Sequence, residues 1–199
     1  MTSDPRIQAL RRHLAEHVVH PLPHGNGGFE AGVLLVLRPR DDLELLIIER
    51  AEIEGDPWSG HMALPGGRRD DGDVDLLDTA LREASEETGV LVTRDAVLGS
   101  LDEVRPRTKR LGPLVIAPFV GVVPADTNAA PNPGEVEQAL WVPLATLSGK
   151  DAVSEVQIEF PEGPRAFPSF TVDGHVIWGL THRILTQFLD LARAAGIAG

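Results

Sequence analysis

The sequence predicts an α+β fold in which a mixed β-sheet lies between helices. Aliphatic runs of strand length recur along the chain, and other segments repeat apolar residues at helical spacing. Because the strands and helices do not alternate as regular strand-helix units, a mixed sheet fits the pattern better than a parallel one. The 199 residues show no shift of composition. We therefore expect a single domain over 1–199, with an N-terminal helix and linker at 1–28 and a core at 29–195.

The first half of the chain is predicted to form a short helix, a hairpin and a longer helix. Residues 5–18 carry an apolar stripe at helical spacing, made by Ile7, Leu10, Leu14 and Val18. The aliphatic runs AGVLLVL (31–37) and LELLIIER (43–50) have the composition of buried strands and are joined across RPRDD. A second stripe of Leu77, Ala80, Leu81 and Ala84 predicts a helix that Gly89 closes in a left-handed turn.

The second half is predicted to supply more strands and a final helix. Strands are expected within VLGSLDEV, LVIAPFVGVV and ALWVPL, and SFTVDGHVIW is expected to form a hairpin around Asp173 and Gly174. Residues 180–195 carry the apolar spacing of an amphipathic helix. Together with the first half, these elements complete a sheet that can be covered by helices on both faces.

Composition excludes several classes of function. The formal net charge is −12 and the pI is about 4.9, which argues against nucleic acid or an anionic membrane as a partner, because both require a basic face. No apolar run approaches the length of a membrane span or of a secretory signal. The chain has no cysteine, so disulfides and thiolate zinc sites are excluded. We expect a cytoplasmic protein.

The second helix concentrates carboxylates on one side. Turning about 100° per residue from Leu77, the side chains of Glu83, Glu86 and Glu87 fall within one sector beside the apolar stripe. Arg82 lies at its border, four residues before Glu86, a spacing that allows an ion pair. An acidic helix face taken alone is usually solvated surface. Clustered carboxylates repel one another unless a cation joins them, and their oxygens are the ligands that Mg²⁺ or Mn²⁺ prefers.

Two glycines lie upstream of this acidic helix in the sequence. Gly66 and Gly67 follow Pro65 and would let the backbone approach the acidic face closely. The string G-x5-D-x8-R-E-A-x-E-E-T-G-V from Gly67 onward resembles the Nudix box, G-x5-E-x7-R-E-U-x-E-E-x-G-U with U aliphatic. The chain departs from it in two ways: Asp73 stands in place of glutamate, and one extra residue lies between Asp73 and Arg82. The metal role is therefore carried over only to Glu83, Glu86 and Glu87.

The resemblance implies an α/β/α sandwich that hydrolyses a nucleoside diphosphate linked to another group, with Mg²⁺ or Mn²⁺. The strings LLIIERA, WSGHMALPGG and PGEVEQALWVPL are similar to those of the coenzyme A diphosphatase branch, and the resemblance covers roughly residues 31–190. The stretch from Arg50 to Gly60 departs from that branch, being one residue longer and lacking its usual basic or histidine residues. ADP-ribose or a dinucleotide is therefore an alternative substrate, and a non-catalytic nucleotide-binding sensor is an alternative function.

Candidate roles follow from the charge that such a reaction must neutralise. A bound cation would offset the diphosphate charge and acidify a water, and a carboxylate would take its proton. Family members are often dimers, and no residue pattern defines an interface here. The candidates are Glu86, Glu135 and Arg82 for catalysis, with Glu86 and Glu135 alternative bases, and Gly66, Gly67, Arg68, Arg105 and Arg107 for substrate binding.

Overall fold

The structure is a computed structural model that describes residues 3–23, 28–55, 58–106, 113–160 and 163–198. Its helices are α1 (Pro5–Glu16), α2 (Leu76–Thr88), α3 (Leu144–Ser148) and α4 (Gly179–Ala194). Its strands are β1 (Glu30–Pro39), β2 (Leu43–Arg50), β3 (Met62–Ala63), β4 (Gly66–Arg68), β5 (Val97–Ser100), β6 (Val115–Val122), β7 (Val136–Pro143), β8 (Val153–Ile158), β9 (Arg165–Val172) and β10 (His175–Trp178).

The main sheet has seven strands and is mixed, as the sequence predicts. Strand β1 runs parallel to β6, whereas β2, β3, β4, β5 and β7 pair antiparallel to their neighbours. The first residues of β2 pair with the end of β1, and the last residues of β2 pair with β3. Strand β4 pairs with the first half of β1. The short strands β3 and β4 therefore occupy the space where β1 and β2 diverge, which sets the two glycines of β4 beside β1.

A second sheet of three antiparallel strands follows in the order β10-β9-β8. The predicted hairpin is confirmed, because β9 and β10 pair directly and its two turn residues both have positive φ, 49° at Asp173 and 86° at Gly174. Such a two-residue turn matches the right-handed twist of the flanking strands. Strand β8 was not predicted, and its short run VSEVQI alternates exposed and half-buried residues.

Helices cover both faces of the main sheet and confirm the predicted sandwich. On one face, Leu34 and Leu46 of the sheet pack with Ala84 of α2. On the other face, the larger core contains side chains from α1, α4 and the second sheet, including Leu10 and Phe188. Helix α1 ends at Glu16 rather than at residue 18, because the backbone turns extended at residue 17 and the side chain of residue 18 is exposed. In the described part of the chain, no helix is long and apolar enough to span a membrane.

Helix α2 is fixed at its ends and along its length. Asp75 caps its start by accepting a hydrogen bond from the Asp78 N–H at 2.9 Å. Gly89 closes it in the predicted left-handed conformation, with φ 68°. In between, the helix lies so close to β1 that a Cβ on Gly32 would be 2.2 Å from the carbonyl oxygen of Leu76. The acidic face of the helix is therefore held at one distance from the sheet.

Candidate functional site

The three glutamates of α2 lie on one side of the helix and differ in burial. The side chain of Glu86 is 54% exposed and that of Glu83 is 17% exposed, whereas the Glu87 residue is only 4% exposed. The three glutamates share one side of the helix, as the helical spacing predicts, and this acidic face runs from solvent into the protein. A carboxylate as buried as Glu87 must be hydrogen-bonded or paired to offset the loss of hydration.

The two glycines of β4 meet this face directly. The backbone N–H of Gly66 donates to Glu87 Oε2 at 2.9 Å. A Cβ on Gly67 would lie 2.4 Å from the carboxyl carbon of Glu83, so any larger residue there displaces that carboxylate. Gly66 has φ 154° and its Cβ would contact the backbone of β1. The close approach that the glycine pair predicts is therefore observed, and only glycine permits it.

Burial and mutual repulsion raise the pKa values of the carboxylates. Burial raises the pKa of Glu87 to about 7; the Gly66 N–H and the Arg50 charge act to lower it, whereas the charges of Glu83 and Glu135 raise it further. Burial also raises the pKa of Glu83 against the lowering effect of Arg82. The charge of Glu135 acts on both groups, so its carboxylate lies in their neighbourhood, and its role as a base or ligand stays a prediction.

The loop that carries Glu135 is attached to both α2 and β2. The Asn132 N–H donates to the carbonyl of Glu87 at 2.9 Å, and the Ala51 N–H donates to the carbonyl of Glu135 at 2.9 Å. The side-chain amide of Asn132 contacts Glu135 Oε1 at 3.4 Å. These bonds place Glu135 between the end of the acidic helix and the end of β2.

Arg82 connects the acidic face to the loop before α2. Its Nη1 donates to Glu83 Oε1 at 2.9 Å and to Glu86 Oε2 at 3.0 Å, which confirms the predicted contact between residues 82 and 86. Its Nε and Nη2 bind the two carboxylate oxygens of Asp73, each at 3.0 Å. A bidentate pair of this kind fixes the plane of the guanidinium group. Arg82 is thereby held in one orientation toward Glu83 and Glu86.

Asp73, to which the sequence analysis assigned no role, is the main partner of Arg82. Its side chain is 7% exposed and also accepts from Thr79 Oγ1 and from the Asp70 N–H, both at 2.9 Å. The extra residue between Asp73 and Arg82 leaves the pairing of these two side chains intact. No sequence signal placed Asp73 there, because its pairing depends on the conformation of the loop before α2.

The arginines considered for the site have different surroundings. Arg50 was also missed as a site residue, and its charge acts on Glu87 from the end of β2. Arg68 is exposed and lies over the ring of Phe29, with its guanidinium carbon 4.5 Å from the ring centroid. Arg105 is held elsewhere, since its guanidinium donates to the carbonyl of Pro23. Arg107 lies outside the described residues.

A family model described as the NUDIX domain matches residues 28–160. The chain belongs to the Nudix family. The predicted family membership is confirmed by that match and by relatives that carry the family name. The Yersinia pestis (strain Pestoides F) protein called uncharacterized Nudix hydrolase NudL is 33% identical over 157 residues, which cover 78% of this chain and 75% of that protein.

Other Nudix relatives differ in length from this chain. Human mitochondrial coenzyme A diphosphatase NUDT8 is 34% identical over 133 residues, covering 65% of this chain and 54% of that protein. A Schizosaccharomyces pombe relative is 35% identical over 132 residues, and the match spans 63% of this chain and 40% of that protein. The chain thus spans about half the length of these two relatives.

Solved Nudix structures show the same fold. A MutT/nudix family protein from Enterococcus faecalis aligns over 98% of this chain and 76% of that chain, with a TM-score of 0.64 and 15% identity. The NUDIX domain of Shewanella oneidensis NrtR, complexed with ADP ribose, aligns over 61% of this chain and 76% of that chain, with a TM-score of 0.50 and 24% identity. The first alignment includes nearly all of this chain, so the second sheet belongs to the shared architecture.

The donor set of this Nudix site fits a hard divalent cation. Carboxylate oxygens are the ligands that Mg²⁺ and Mn²⁺ favour. A cation would offset the burial that mainly raises the pKa of Glu83 and Glu87, and the smaller repulsion from neighbouring carboxylates. Within the described ranges, no three His, Asp or Glu side chains already converge as a metal site. Arg82 binds Glu83 and Glu86, and the Gly66 N–H binds Glu87.

Replacing Asp73 with Asn is expected to destabilise the Nudix fold by about 1.5–3 kcal/mol at neutral pH, the usual range for a hydrogen bond to a charged group. Arg82 holds the pKa of Asp73 well below its usual range. A depressed pKa contributes stability above the unfolded-state pKa, and this stability is lost as the pH falls through the folded-state pKa. Urea unfolding at pH 7 and pH 3 should therefore show a smaller difference between wild type and Asp73→Asn at the lower pH.

The control for this measurement is Asp71→Asn, an exposed acid in the same loop. Because surface substitutions usually change the free energy of unfolding by less than about 0.5 kcal/mol, this variant should resemble wild type at both pH values. An equal loss of stability for Asp73→Asn at pH 7 and pH 3 would mean that its charge does not contribute.

Proposed function

We propose that this Nudix chain is a metal-dependent hydrolase that cleaves the phosphoanhydride bond of nucleoside diphosphate derivatives, and that coenzyme A or a coenzyme A derivative is its substrate. The observation that carries the proposal is the acidic face of α2, where three carboxylates of graded burial meet the backbone of a glycine pair. The coenzyme A assignment is supported by the LLIIERA and ALPGG strings and by the name of the human relative.

In this proposal Glu83, Glu86 and Glu87 hold Mg²⁺ or Mn²⁺, which supplies charge neutralisation and a water of lowered pKa. Arg82 positions Glu83 and Glu86 through the contacts described above, and the Gly66 N–H fixes one oxygen of Glu87. Water attacks one phosphorus atom, the bond from that phosphorus to the bridging oxygen breaks, and the proton of the water passes to a carboxylate.

Two carboxylates are candidates for the proton acceptor. Glu86 is exposed, and Arg82 is the one side chain that binds it within the described residues, so it can swing toward a bound substrate. Glu135 enters from the loop before β7 and acts electrostatically on Glu83 and Glu87. A general base must lie within hydrogen-bond reach of the proton that it removes, in a substrate-bound arrangement.

Substrate contacts are proposed for the residues nearest the glycine pair. Gly66 and Gly67 bring the backbone against the acidic face, and the exposed guanidinium of Arg68 is suited to phosphate oxygens. Arg105 is engaged with Pro23 in this structure. Its role and that of Arg107 stay predictions, as do the homodimer and the cytoplasmic location.

The function is tested by turnover of a substrate panel. Purified protein is incubated with coenzyme A, ADP-ribose, NADH and diadenosine polyphosphates in Mg²⁺ or Mn²⁺, then with EDTA. Coenzyme A should be cleaved to 3′-phosphoadenosine 5′-monophosphate and 4′-phosphopantetheine, and EDTA should stop turnover until the metal is restored. Preferred turnover of ADP-ribose would replace the coenzyme A assignment. Binding without hydrolysis of any member would favour the nucleotide-binding sensor.

A further inference from the structure

A cleft of about 290 Å³ opens where the end of the main sheet meets the second sheet. Strands β2 and β3 form one wall, and β8 and β10 form the other. The side chains that line it are both polar and apolar: Glu49, His61, Met62, Val156, His175 and Trp178. We call these six residues the junction cleft. Clefts between structural layers, with a few polar groups in an apolar wall, are the usual form of a small-molecule site.

The junction cleft and the carboxylate site share the end of β2. Successive side chains of a strand point to opposite faces of the sheet. Arg50 acts on Glu87 at the α2 face, and Glu49 lines the cleft on the other face. The Arg50 N–H donates to the carbonyl of His61 at 3.1 Å, and the Ala51 N–H donates to the carbonyl of Glu135 at 2.9 Å. The end of β2 therefore connects the cleft to the loop of Glu135 through backbone hydrogen bonds.

Glu49 offers one carboxylate oxygen to a ligand. Its Oε2 accepts a hydrogen bond from Gln138 Nε2 and lies 4.0 Å from His175 Nδ1. Its Oε1 accepts no hydrogen bond from a residue that the structure describes. An acceptor oxygen and an imidazole nitrogen that can donate therefore lie next to each other in the cleft.

The rest of the cleft is aromatic and apolar. The rings of Trp178 and His61 meet edge to face, with centroids 5.3 Å apart, and Phe167 supports Trp178 with ring centroids 5.5 Å apart. Met62 and Val156 complete the wall. Trp178 is half-buried, and its two ring neighbours meet it at an edge or tilted angle. The exposed part of the indole is suited to stacking against a flat heterocycle.

We propose that the junction cleft binds the purine base of the nucleoside diphosphate substrate, an inference that rests on the proposed function. A purine offers a hydrogen-bond donor beside an acceptor on its edge, which complement Glu49 and His175. Pyrimidines share that edge, so the wider purine ring system, stacked on Trp178, is what favours a purine. The charge of Glu49 disfavours phosphate in the cleft. It therefore orients the ligand with the base inward and the diphosphate toward Arg50 and the acidic face of α2.

The test measures binding separately from catalysis. Wild-type protein is titrated with AMP, GMP and UMP in Mg²⁺ by calorimetry and tryptophan fluorescence, since these monophosphates contain no anhydride to cleave. AMP and GMP both carry a purine ring with a hydrogen-bond donor beside an acceptor, and their relative affinities show which purine is preferred. At least one purine nucleotide should bind roughly tenfold more tightly than UMP, because stacking on an aromatic ring is worth about that factor or more.

The Glu49→Gln variant should weaken the binding of the preferred purine nucleotide by roughly tenfold, within the range observed when one base contact is lost. The binding of UMP, whose smaller ring stacks less on Trp178, should weaken by a smaller factor. Its side chain retains the size of glutamate and can still pair with Gln138. Glu155→Gln is the matched control, since Glu155 is an exposed acid on β8 directly before cleft-lining Val156. Trp178→Phe keeps a ring before α4 and should weaken purine binding less than Glu49→Gln.

Several outcomes would overturn the proposal: equal affinity for AMP, GMP and UMP, no binding of any of them, or no effect of Glu49→Gln. On a substrate that is hydrolysed, Glu49→Gln should raise KM for purine-containing diphosphates with kcat unchanged. If no diphosphate is hydrolysed while purine binding still depends on Glu49, the proposed function fails and the junction cleft stands as a binding site.

Discussion

Replacing Glu86 with Gln is expected to lower kcat roughly a hundredfold or more, the scale of losing a general base or a carboxylate ligand. Glutamine preserves the length and hydrogen-bonding oxygen of the side chain but removes the negative charge. The reaction needs this charge either to hold the cation or to accept the proton of the attacking water. Steady-state kinetics on the substrate that the panel identifies measures the loss.

The same variant should fold normally. The Glu86 side chain is 54% exposed and its side-chain partner is Arg82, four residues earlier on the helix. Such exposed pairs contribute only about 0.3–0.5 kcal/mol to stability. Asp190→Asn provides a matched control, because Asp190 is an exposed acid paired with Arg193 on α4. Thermal unfolding should be nearly unchanged in both variants, whereas only Glu86→Gln loses activity. Wild-type turnover in Glu86→Gln would refute the placement of the site on α2.

Sequence periodicity predicted the elements whose structure is set locally. Helix α2 followed from its apolar stripe, and its end followed from Gly89, because a left-handed residue closes a helix without help from distant parts of the chain. The turn at Asp173 and Gly174 was predicted for the same reason. Strands β3, β4 and β8 were missed because they are short and defined by pairing with distant strands, not by an apolar repeat of their own.

The residues of the candidate site also divide into those placed by local helical spacing and those placed by the fold. The three glutamates and Arg82 share one helix, so their spacing alone placed them on one side. Asp73 is brought to Arg82 by the conformation of a loop, and a one-residue insertion made that loop unreadable from the sequence. Arg50 faces Glu87 because of the pairing of β2 within the sheet. The junction cleft depends on two sheets meeting, which no local pattern indicates.

Gly32→Ala is expected to be the most destabilising substitution considered, with a loss of about 3 kcal/mol, at the upper end of the usual cost of overpacking. The cost is steric. Gly32 does not have a positive φ, but its Cβ would lie 2.2 Å from the carbonyl oxygen of Leu76 and 2.9 Å from the amide nitrogen of Ala80. Both atoms belong to the backbone of α2, so relief requires the whole helix to move away from β1.

The expected readout is a fall of about 6–12 °C in Tm, the shift that such a loss produces in a chain of this size. Gly72→Ala is the control, because a Cβ at Gly72 meets nothing within 4 Å, and its Tm should match that of wild type. Below its unfolding transition, Gly32→Ala should also lose turnover, since moving α2 carries Glu83 and Glu87 away from the glycines of β4. Full activity with a lowered Tm would mean that the carboxylates do not need their contact with the glycine pair.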